Sequence, residues 1–567
     1  SYFIDLLQER VDVRNEPDIV TEGGRSYTSH MITQCVDPKI SALNPKNLLV
    51  MATGIIAGSR ASSSNRLSIG SKSPLTGGIK ESNIGGTPGY ALSRLGIRSL
   101  VFTGKSSRGW QIILVGAEGV SIIDGNNYAG LGIYPTVEQL RDRFGKNVAI
   151  LAIGQAGELQ LKAALIGGTD VDGVPSRQAG RGGMGAVMGS KGIKAIVIDP
   201  TGQNKFEPFD VGMLNEATRR FVKGLQDNPS TGQSLPKYGT AGLVKTINAL
   251  GGLPTRNYSS GNFENVDMIS GDALYNLIIE RNGKPTHPCM PGCVIRCSNV
   301  LPGKNGMELT SGFEYETLAL LGSNCGIGDL DKIGELNFIC DDIGLDSMET
   351  GVAMGVAMEG GELKFGEADK AIEILREIPT KDGIGRIIGN GAVNTGKAFR
   401  VNRIPAVRGQ AMSAYDPRVF KGIGVTYATS PMGADHTAGN ALPGSKLPDG
   451  RQPNHSLPDD QVELSAYLQK LAVVFDTLGL CWFTRNPILA DNRLLTDLLT
   501  ALNGGAWSLE ALLEKGKQTI LEEETFNKRA GVNPENDVPA FFRLEPIGPN
   551  HLVFDVDVSD LQKIRDL

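Results

Sequence analysis

The chain repeats one six-residue template, Asp-x-x-Gly-Leu-x, as Asp341-Asp-Ile-Gly-Leu-Asp346 and again as Asp476-Thr-Leu-Gly-Leu-Cys481. Each copy ends a segment, 329–343 or 465–478, in which apolar residues recur with helical spacing. Glycine followed by leucine at such a position is typical of a helix C-cap, in which the glycine is left-handed and the leucine packs back on the helix. The template therefore predicts two helices that end in the same geometry.

The aspartate that opens each copy is not explained by capping. A carboxylate in the last turn of a helix opposes the helix dipole, so its presence at Asp341 and Asp476 suggests a ligand. A carboxylate can accept paired N–H donors from a heterocyclic amidine or guanidine edge, such as that of a pterin. Two equivalent carboxylates predict two equivalent ligands; two bare helix caps are the alternative.

Three of the seven cysteines lie within the segment Pro288-Cys-Met-Pro-Gly-Cys-Val-Ile-Arg-Cys297. Three closely spaced thiols in a loop bent by proline and glycine favour a [4Fe–4S] cluster, which takes four thiolates. Structural zinc more often shows paired C-x2-C hooks, and chance clustering is the remaining alternative. The triplet consists of Cys289, Cys293 and Cys297. The fourth thiolate would come from Cys35, Cys325, Cys340 or Cys481.

Cys481 is favoured as the fourth ligand because it ends the second copy of the template. Cys325 and Cys340 lie in apolar stretches, which is typical of inert core thiols. Seven sparse cysteines predict no disulfide framework, so a reducing cytoplasm is the expected location.

Composition excludes several classes of protein. The formal net charge of −6 on 567 residues argues against nucleic acid as a partner, and 40% hydrophobic residues exclude disorder. No run of about 18 apolar residues occurs, so no membrane span is predicted. Glycine is in surplus: 73 of the 567 residues are glycine, nearly 13%, whereas about 7% is usual. This surplus must serve turns, caps or close approach of the backbone to a ligand.

The pattern of apolar residues in the sequence changes near residue 205. Before it, short apolar runs bounded by Gly, Asn, Ser or Asp indicate strands at 47–53, 99–103, 110–115 and 195–199. After it, helical periodicity dominates, at 210–226, 272–282, 329–343, 368–378 and 465–478. This change predicts an α+β protein, divided into domains at 1–204, 205–407 and 408–567.

The cysteine triplet, the paired templates and Cys481 resemble the aldehyde:ferredoxin oxidoreductases, a family of tungsten- or molybdenum-pterin enzymes. The likeness runs along nearly the whole chain. Other segments that look like family signatures are Ser71-Lys-Ser-Pro-Leu-Thr-Gly77, Ser82-Asn-Ile-Gly-Gly86, residues 179–191, Leu235-Pro-Lys-Tyr-Gly-Thr-Ala241 and Ala414-Tyr-Asp-Pro-Arg418. The resemblance implies an N-terminal β-sheet-rich domain that forms the base of the cofactor site, followed by two mainly α-helical domains.

The resemblance also implies the cofactors: two pterin dithiolenes that hold one tungsten or molybdenum, Mg²⁺ between their phosphates, and one [4Fe–4S] cluster. Cys481 would be the fourth cluster ligand, and Arg66 would lie between cluster and pterin. The pterins would be held by Asp341, Leu345, Asp346, Asp476 and Leu480. The phosphates would be lined by Asn83, Gly85, Arg181, Gly182, Gly183 and Gly185.

A glycine-dense loop with an arginine, Gly180-Arg-Gly-Gly-Met-Gly185, can present backbone N–H groups to phosphate. It lacks the Walker A pattern, and a β-turn with an exposed Arg181 is the alternative.

Members of this family convert an aldehyde and water into a carboxylate and release two electrons. By resemblance, Glu316 acts as the base or orients water, His436 polarises the carbonyl oxygen, and Tyr315 stands beside them. Proton removal needs a group whose pKa lies near neutrality. From the residues alone, Glu316 could equally be a solvated surface carboxylate and His436 a structural histidine.

The chain has one predicted cluster and no flavin or nicotinamide motif, so ferredoxin or a ferredoxin-like subunit is expected to take the electrons. Some family members carry Glu-x-x-His for a metal that bridges a homodimer, but here the segment reads Glu335-Leu-Asn-Phe338, which favours another assembly such as a hetero-oligomer. Two other functions stay open: a low-potential reductase of the benzoyl-CoA reductase type, and a non-catalytic iron–sulfur electron carrier.

Overall fold

The structure is a computed structural model that describes residues 1–15, 22–532 and 537–567. Two six-stranded sheets form its N-terminal part. The strands of the first sheet are β1 (Tyr2–Asp5), β2 (Arg10–Val13), β3 (Leu49–Thr53), β4 (Leu67–Lys72), β5 (Ile79–Ile84) and β6 (Ser99–Thr103). They lie in the order β2-β1-β6-β3-β4-β5, and only the β1–β6 pair is parallel.

The second sheet has the order β11-β10-β9-β12-β7-β8. Its strands are β7 (Gln111–Gly116), β8 (Gly119–Asp124), β9 (Ala149–Ala152), β10 (Ile166–Gly168), β11 (Arg177–Ala179) and β12 (Ile193–Ile198). Only β12 and β7 pair in parallel. Apolar side chains from both sheets, among them Leu49, Leu100, Ile113 and Ile196, form one fully buried core.

Five helices accompany the two sheets: α1 (Gly24–Cys35), α2 (Pro88–Arg94), α3 (Ile133–Phe144), α4 (Gln155–Glu158) and α5 (Met184–Ser190). The predicted strand 99–103 matches β6, and the other three predicted strands match β3, β7 and β12 to within two residues. The expected sheet-rich N-terminal part is therefore confirmed.

Helices dominate the rest of the chain. The first group comprises α6 (Val211–Asp227), α7 (Leu235–Tyr238), α8 (Leu243–Ala249), α9 (Gly271–Glu280), α10 (Tyr315–Thr317), α11 (Leu330–Ile343), α12 (Ser347–Glu359), α13 (Ala368–Glu377), α14 (Ile384–Ile388) and α15 (Ala392–Phe399). The second group comprises α16 (Lys421–Thr429), α17 (Gln461–Leu478), α18 (Arg485–Ala490), α19 (Arg493–Asn503), α20 (Leu509–Ala530), α21 (Phe541–Leu544) and α22 (Val558–Gln562). With 43% helix and 15% strand, the α+β class is confirmed.

Two small sheets interrupt the helices and were not predicted. Strands β13 (Lys284–His287), β14 (Ser298–Pro302) and β15 (Glu308–Ser311) form an antiparallel sheet, and β16 (Ala406–Val407) pairs with β17 (Gln410–Ala411). The cysteine triplet lies in the loop that joins β13 to β14, so this sheet fixes both ends of that loop. Short runs interrupted by Pro, Gly and Cys carry too little periodicity to predict such strands.

Apolar packing continues across the limits predicted for the domains. One buried core contains Leu161 together with Phe313 and Phe554, and a second contains Ile56 together with Phe221 and Leu498. The limits at 204/205 and 407/408 stay predictions. Among the described residues, no single helix is long and apolar enough to cross a membrane; Gln461–Leu478 and Trp482–Ala490 meet that test only as a pair bent by 117°.

Candidate cofactor and active site

The two template segments end their helices in the same way. Gly344, after α11, has φ 82° and ψ 48°, and Gly479, after α17, has φ 75° and ψ 22°. The backbone amides of Leu345 and Leu480 each donate to the carbonyl oxygen five residues earlier, at 2.7 and 2.9 Å. Both leucines are fully buried. The predicted pair of glycine C-caps is therefore confirmed.

Each helix end rests on a turn that follows a strand of the N-terminal sheets. Gly54 follows β3, and a Cβ atom there would lie 2.2 Å from the backbone nitrogen of Gly479. Gly154 follows β9, and a Cβ atom there would lie 2.4 Å from the carbonyl oxygen of Ile343. Part of the glycine surplus thus serves close backbone packing between the sheets and the two helix ends.

Backbone hydrogen bonds join the two template segments to the N-terminal sheets in matching positions. In each pair the amide of the first residue donates to the carbonyl oxygen of the second: Cys481 to Ser63 (2.8 Å), Asp346 to Ala163 (3.0 Å), Arg66 to Gly479 (3.0 Å) and Leu165 to Gly344 (2.9 Å). The contacted loops follow β3 in the first sheet and β9 in the second. The structure therefore holds two equivalent sites, each made of one sheet and one helix end.

The carboxylate of Asp476 lies in the first of these sites. Its Oδ2 is 3.5 Å from the nearest nitrogen of Arg25, which also makes a two-pronged ion pair with Glu523. Burial, together with the charge of Glu81, raises the pKa of Asp476 well above its ordinary value, while Arg25 and Arg66 oppose the shift. Sequence reasoning missed Arg25 and Glu81, because neither lies in a recognisable motif.

The carboxylate of Asp341 lies in the second site. Burial raises its pKa to about 8, against the opposing charge of Arg177 and a hydrogen bond from Gln178. The amide of Asn337 donates to its Oδ2 at 3.2 Å. Around it, three buried polar atoms have no partner among the described residues: Nε of Arg177, Oε1 of Gln178 and the hydroxyl of Tyr134. Buried polar atoms normally have partners, so this set fits a polar ligand such as a pterin.

The four predicted cluster thiols influence one another. Cys289 and Cys293 share a hydrogen bond, and the pKa of Cys297 is raised by burial and by the charges of Glu314, Cys481 and Cys293. The pKa of Cys293 is lowered to about 6, chiefly by the hydrogen bond from Cys289, which favours the thiolate that binds metal. Among all described residues, no three His, Cys, Asp or Glu side chains converge tightly enough for a single ion.

The remaining cysteines lie elsewhere. Cys325 and Cys340 are fully buried core residues, as predicted, and Cys35 is exposed at the end of α1. In contrast, Cys289, Cys297 and Cys481 keep partly accessible surface although burial raises the pKa of each. These three residues are therefore less buried than the two core cysteines.

Arg66 interacts with both Cys481 and the second template, and its place between cluster and pterin stays a prediction. Its charge lowers the pKa of Cys481 and also that of Asp476. Its Nε donates to the side-chain oxygen of Asn83, and a second nitrogen donates to the Asn83 carbonyl at 3.1 Å. A Cβ atom on Gly85 would lie 3.4 Å from this guanidinium.

Arg177 has a corresponding position near the first template. Cys289, Cys297 and Asp341 all interact with its charge. A Cβ atom on Gly312 would lie 2.2 Å from one of its guanidinium nitrogens, so that glycine makes room for the side chain. Only its position beside the glycine-dense loop could have drawn attention to Arg177 in the sequence.

The glycine-dense loop approaches protein atoms. Gly182 and Gly183 have φ near +80°, and Cβ atoms there would lie 2.3 Å from the side chain of Lys80 and 2.4 Å from the carbonyl of Lys162. A Cβ atom on Gly185 would lie 2.1 Å from a backbone oxygen. These contacts account for the glycines without a ligand, so their role at the phosphates stays a prediction.

Arg181 is buried, and the alternative of an exposed turn arginine is wrong. It donates to the carbonyl oxygens of Ala434 (2.7 Å) and Ala411 (2.6 Å) and lies 3.3 Å from the carboxylate of Asp346. Asp346 in turn caps α12 by accepting from the amide of Met348 at 2.9 Å. Arg181 thus ties the glycine loop to both helical parts.

Glu316 and His436 form a buried pair. Oε1 of Glu316 lies 3.5 Å from Nδ1 of His436, and Oε2 accepts from the amide of Ala414 at 2.8 Å. Ser413 Oγ lies 2.9 Å from the same histidine nitrogen. Burial raises the pKa of Glu316 from its ordinary value, and only 13% of its side chain is accessible. The alternative of a solvated surface carboxylate is therefore wrong.

Tyrosines form the wall behind this pair. Tyr315 is buried, and its hydroxyl donates to the carbonyl of Ala414, which fixes the backbone that holds Glu316. Tyr415 lies between them, with its ring centroid 5.2 Å from that of Tyr315 and 5.7 Å from that of His436. Sequence reasoning missed Ser413 and Tyr415 as parts of the site, although Tyr415 belongs to a segment quoted as a signature.

The loop that carries His436 is anchored to the first sheet. Lys80, in β5, makes a 2.7 Å ion pair with Asp435, and this buried lysine lowers the pKa of that carboxyl. Asp435 Oδ1 accepts from the hydroxyl of Thr437 at 2.8 Å. The loop of His436 is therefore positioned by the same sheet that supports the second template.

Family models and known proteins resemble this chain over most of its length. Residues 1–200 match the model of the aldehyde ferredoxin oxidoreductase N-terminal domain, and residues 216–564 match that of domains 2 and 3. Tungsten-containing aldehyde ferredoxin oxidoreductases from Pyrococcus horikoshii (35% identical) and Pyrococcus furiosus (33%) each align over 93% of this chain and 88% of their own length.

Two further relatives widen the comparison. An aliphatic sulfonate oxidoreductase, WOR-like subunit, from Pyrococcus furiosus is 27% identical over 78% of this chain and 75% of its own. The active-site complex BamBC of benzoyl coenzyme A reductase, solved with 1,5-dienoyl-CoA, shares the fold, with a TM-score of 0.79, 20% identity and coverage of 95% of this chain and 90% of that one.

Fold, site and relatives together define the chain as an oxidoreductase. More particularly, it belongs to the aldehyde ferredoxin oxidoreductase family, a membership that extends over the N-terminal domain and domains 2 and 3.

Proposed function

We propose that the chain oxidises aldehydes to carboxylic acids with a tungsten or molybdenum bis-pterin, and that the electrons leave through a [4Fe–4S] cluster. The observation that carries this proposal is the buried pair of Glu316 and His436, in which one carboxylate oxygen has no hydrogen-bond donor among the described residues. The reaction balances as RCHO + H₂O → RCOO⁻ + 3 H⁺ + 2 e⁻. It needs a base for water and a polar group for the carbonyl oxygen.

Glu316 would be the base. Its Oε2 is held by the amide of Ala414, which leaves Oε1 free to accept a proton from water. Burial raises its pKa towards the range in which a base works near neutral pH. His436 would donate a hydrogen bond to the carbonyl oxygen, with its ring oriented by Ser413 and Tyr415.

The two template carboxylates would hold the pterins. Asp341 is buried and Asp476 partly buried, and both carry raised pKa values in equivalent sites, which suits two copies of one ligand with N–H donors. When bound, the metal would accept the two electrons of the aldehyde. Leu345, Leu480 and Asp346 fix the helix ends on which the aspartates stand. The phosphates and Mg²⁺ would lie near Asn83, Gly85, Arg181, Gly182, Gly183 and Gly185.

The four thiols of Cys289, Cys293, Cys297 and Cys481 would bind the cluster. Since Arg66 influences both Cys481 and Asp476, it would lie between cluster and pterin. Ferredoxin or a ferredoxin-like subunit would receive the electrons. A ferredoxin-like subunit would form a hetero-oligomer with this chain.

The test is elemental analysis of the purified protein, followed by a panel of aldehydes with a viologen dye as acceptor. We expect one tungsten or molybdenum and four irons per chain, and dye reduction that depends on the aldehyde. Iron without tungsten or molybdenum would indicate an electron carrier instead. Metal-replete protein that reduces an aromatic thioester and ignores every aldehyde would indicate a reductase of the benzoyl-CoA reductase type.

A further inference from the structure

Two consecutive residues contact the proposed acid and base groups. The amide of Ala414 donates to Oε2 of Glu316 at 2.8 Å, and the hydroxyl oxygen of Ser413 lies 2.9 Å from Nδ1 of His436. Ser413 is fully buried, and its carbonyl oxygen accepts from the hydroxyl of Tyr258 at 2.7 Å. The serine hydroxyl is therefore held in place beside the histidine ring.

The hydroxyl oxygen of Ser413 accepts from two groups that can only donate. Nη1 of Arg181 donates to it at 3.3 Å, and the backbone amide of His436 donates to it at 3.3 Å. A serine hydroxyl has two acceptor lone pairs and one hydrogen to donate. Since both lone pairs are taken, the hydrogen of this hydroxyl needs an acceptor, and a buried donor without one is costly.

Nδ1 of His436 is the acceptor that this hydrogen reaches. It lies 2.9 Å from Ser413 Oγ, and no other acceptor among the described residues lies within hydrogen-bond distance of that hydroxyl. A proton on Nδ1 would leave three donors facing one oxygen and the hydroxyl hydrogen without a partner. The charged donor of Arg181 polarises the hydroxyl and makes it a stronger donor. The hydrogen-bond count thus requires a neutral imidazole whose Nδ1 carries no proton.

Neighbouring carboxylates do not compete for a proton on Nδ1 of His436. Oε1 of Glu316 is 3.5 Å away and Oδ1 of Asp435 is 4.0 Å away, both longer than a normal hydrogen bond. Oδ1 of Asp435 accepts from the amide and hydroxyl of Thr437, and Oδ2 pairs with Lys80. A neutral imidazole must then carry its proton on Nε2, which makes no hydrogen bond to any described residue.

We propose that Ser413 is a positioning residue that fixes the tautomer of His436, with Nδ1 as an acceptor and the proton on Nε2. The proposal rests on the proposed function and deepens it, because only Nε2–H can then donate to the carbonyl oxygen of an aldehyde. The same tautomer serves the base. A proton on Nδ1 would face Oε1 of Glu316 and would engage the oxygen that is to accept a proton from water. Ser413 thus sets the donor and keeps the base open.

The tautomer can be measured by low-temperature solid-state 15N NMR of the oxidised holoenzyme labelled with 15N-histidine, at about pH 9, where an imidazole is neutral. His436→Gln identifies the signals of this ring among the five histidines. In the wild-type enzyme we expect an unprotonated Nδ1 and a protonated Nε2. In Ser413→Ala the Nδ1 signal should shift towards that of a protonated nitrogen, because the hydroxyl that donated to it is gone.

Activity should change in a matching way. With a viologen dye as acceptor, Ser413→Ala should lose about 10- to 100-fold in kcat with little change in KM, because the hydrogen bond to the carbonyl oxygen is stronger in the transition state than in the bound substrate. The matched control is Ser323→Ala, which removes a fully buried hydroxyl that donates to the carbonyl of Pro254 at 2.7 Å. This control should keep the wild-type tautomer and kcat.

A wild-type enzyme whose neutral His436 carries its proton on Nδ1 would overturn the proposal, and this measurement does not depend on whether Ser413→Ala folds. So would a Ser413→Ala variant that keeps the wild-type tautomer, whatever its activity. A wild-type enzyme with the expected tautomer that oxidises no aldehyde would support the role of Ser413 and count against the proposed function, so the two failures are distinguishable.

Discussion

Oε1 of Glu316 lies 3.5 Å from Nδ1 of His436, and within the described chain no group donates a hydrogen bond to that oxygen. An acceptor left open beside a histidine is what a base needs in order to take a proton from water. The second carboxylate oxygen is held by a backbone amide, so the group is fixed before substrate arrives. Such preorganisation is the usual source of catalytic advantage in a buried site.

Replacing Glu316 by Gln should abolish turnover and leave the metal content unchanged. The amide keeps the shape of the side chain and its bond to Ala414 but cannot accept a proton, so kcat should fall by about 10²- to 10⁴-fold. Activity and elemental analysis are measured on the same preparation. Retained activity at full metal content would show that Glu316 is not the base.

The pH profile should report the same carboxyl. Burial raises the pKa of Glu316 above its ordinary 4.5, and a base acts only when deprotonated. We therefore expect kcat/KM to rise with pH through an apparent pKa above 4.5 and then to level off. The measurement is kcat/KM for one neutral aldehyde from pH 4 to 9. An acid limb at or below the ordinary value would contradict this assignment.

Stability of the cofactor-free protein should fall as pH rises from about 4 to about 8. The pKa of Asp341 is about 8 in the folded state and near 3.8 when unfolded, so over this range the folded state alone holds the proton. One such group contributes a slope of up to about 1.4 kcal/mol per pH unit. Asp341→Asn should flatten the curve. The control Asp382→Asn, at an exposed carboxyl, should leave it unchanged.

The contact between sheet and helix end should tolerate no side chain. Gly54→Ala would place Cβ 2.2 Å from the backbone nitrogen of Gly479, and backbone cannot move aside as a flexible side chain can. We expect a loss of about 3 kcal/mol in the free energy of unfolding and a lower metal content. Gly383→Ala, at a glycine with nothing within 4 Å of the added carbon, is the control and should be neutral. Equal stability of the two variants would disprove the close contact.

How far the sequence predicts this site depends on the kind of signal each residue carries. The two templates fixed both helix ends, because a glycine C-cap is a local event with a local sequence pattern. Their partners in the sheets, Gly54 and Gly154, could not be found in this way. Each is one glycine among 73, and its role depends on a contact more than 180 residues distant.

The partners of charged side chains are equally hard to predict from the sequence. Cys481 is predicted as a ligand because it ends a template, whereas Arg25, Glu81 and Arg177 act through contacts with residues far away in the chain. The sequence singles out Arg181 but does not predict its partners, which are Asp346 and two backbone carbonyls. A sequence pattern supplies the residue type at a position, whereas the partner of a long side chain is decided by tertiary packing.

Arg177 interacts with both the cysteine loop and the first template. Its charge acts on the thiols of Cys289 and Cys297 and on the carboxylate of Asp341, and its Nε is buried without a partner among the described residues. Arg177→Gln removes a positive charge beside the proposed cluster, so adding an electron there becomes less favourable and the cluster potential should become more negative. The same change should weaken cofactor retention, because the donor at Nε is lost.

A redox titration of the cluster followed by electron paramagnetic resonance, together with elemental analysis, would measure both effects of Arg177→Gln. Arg177→Lys is the matched comparison: it keeps the charge and loses the fork of donors. We expect the lysine variant to keep most of the potential while still losing cofactor. If both variants kept the wild-type potential and metal content, Arg177 would serve only to pack between Gly86 and Gly312.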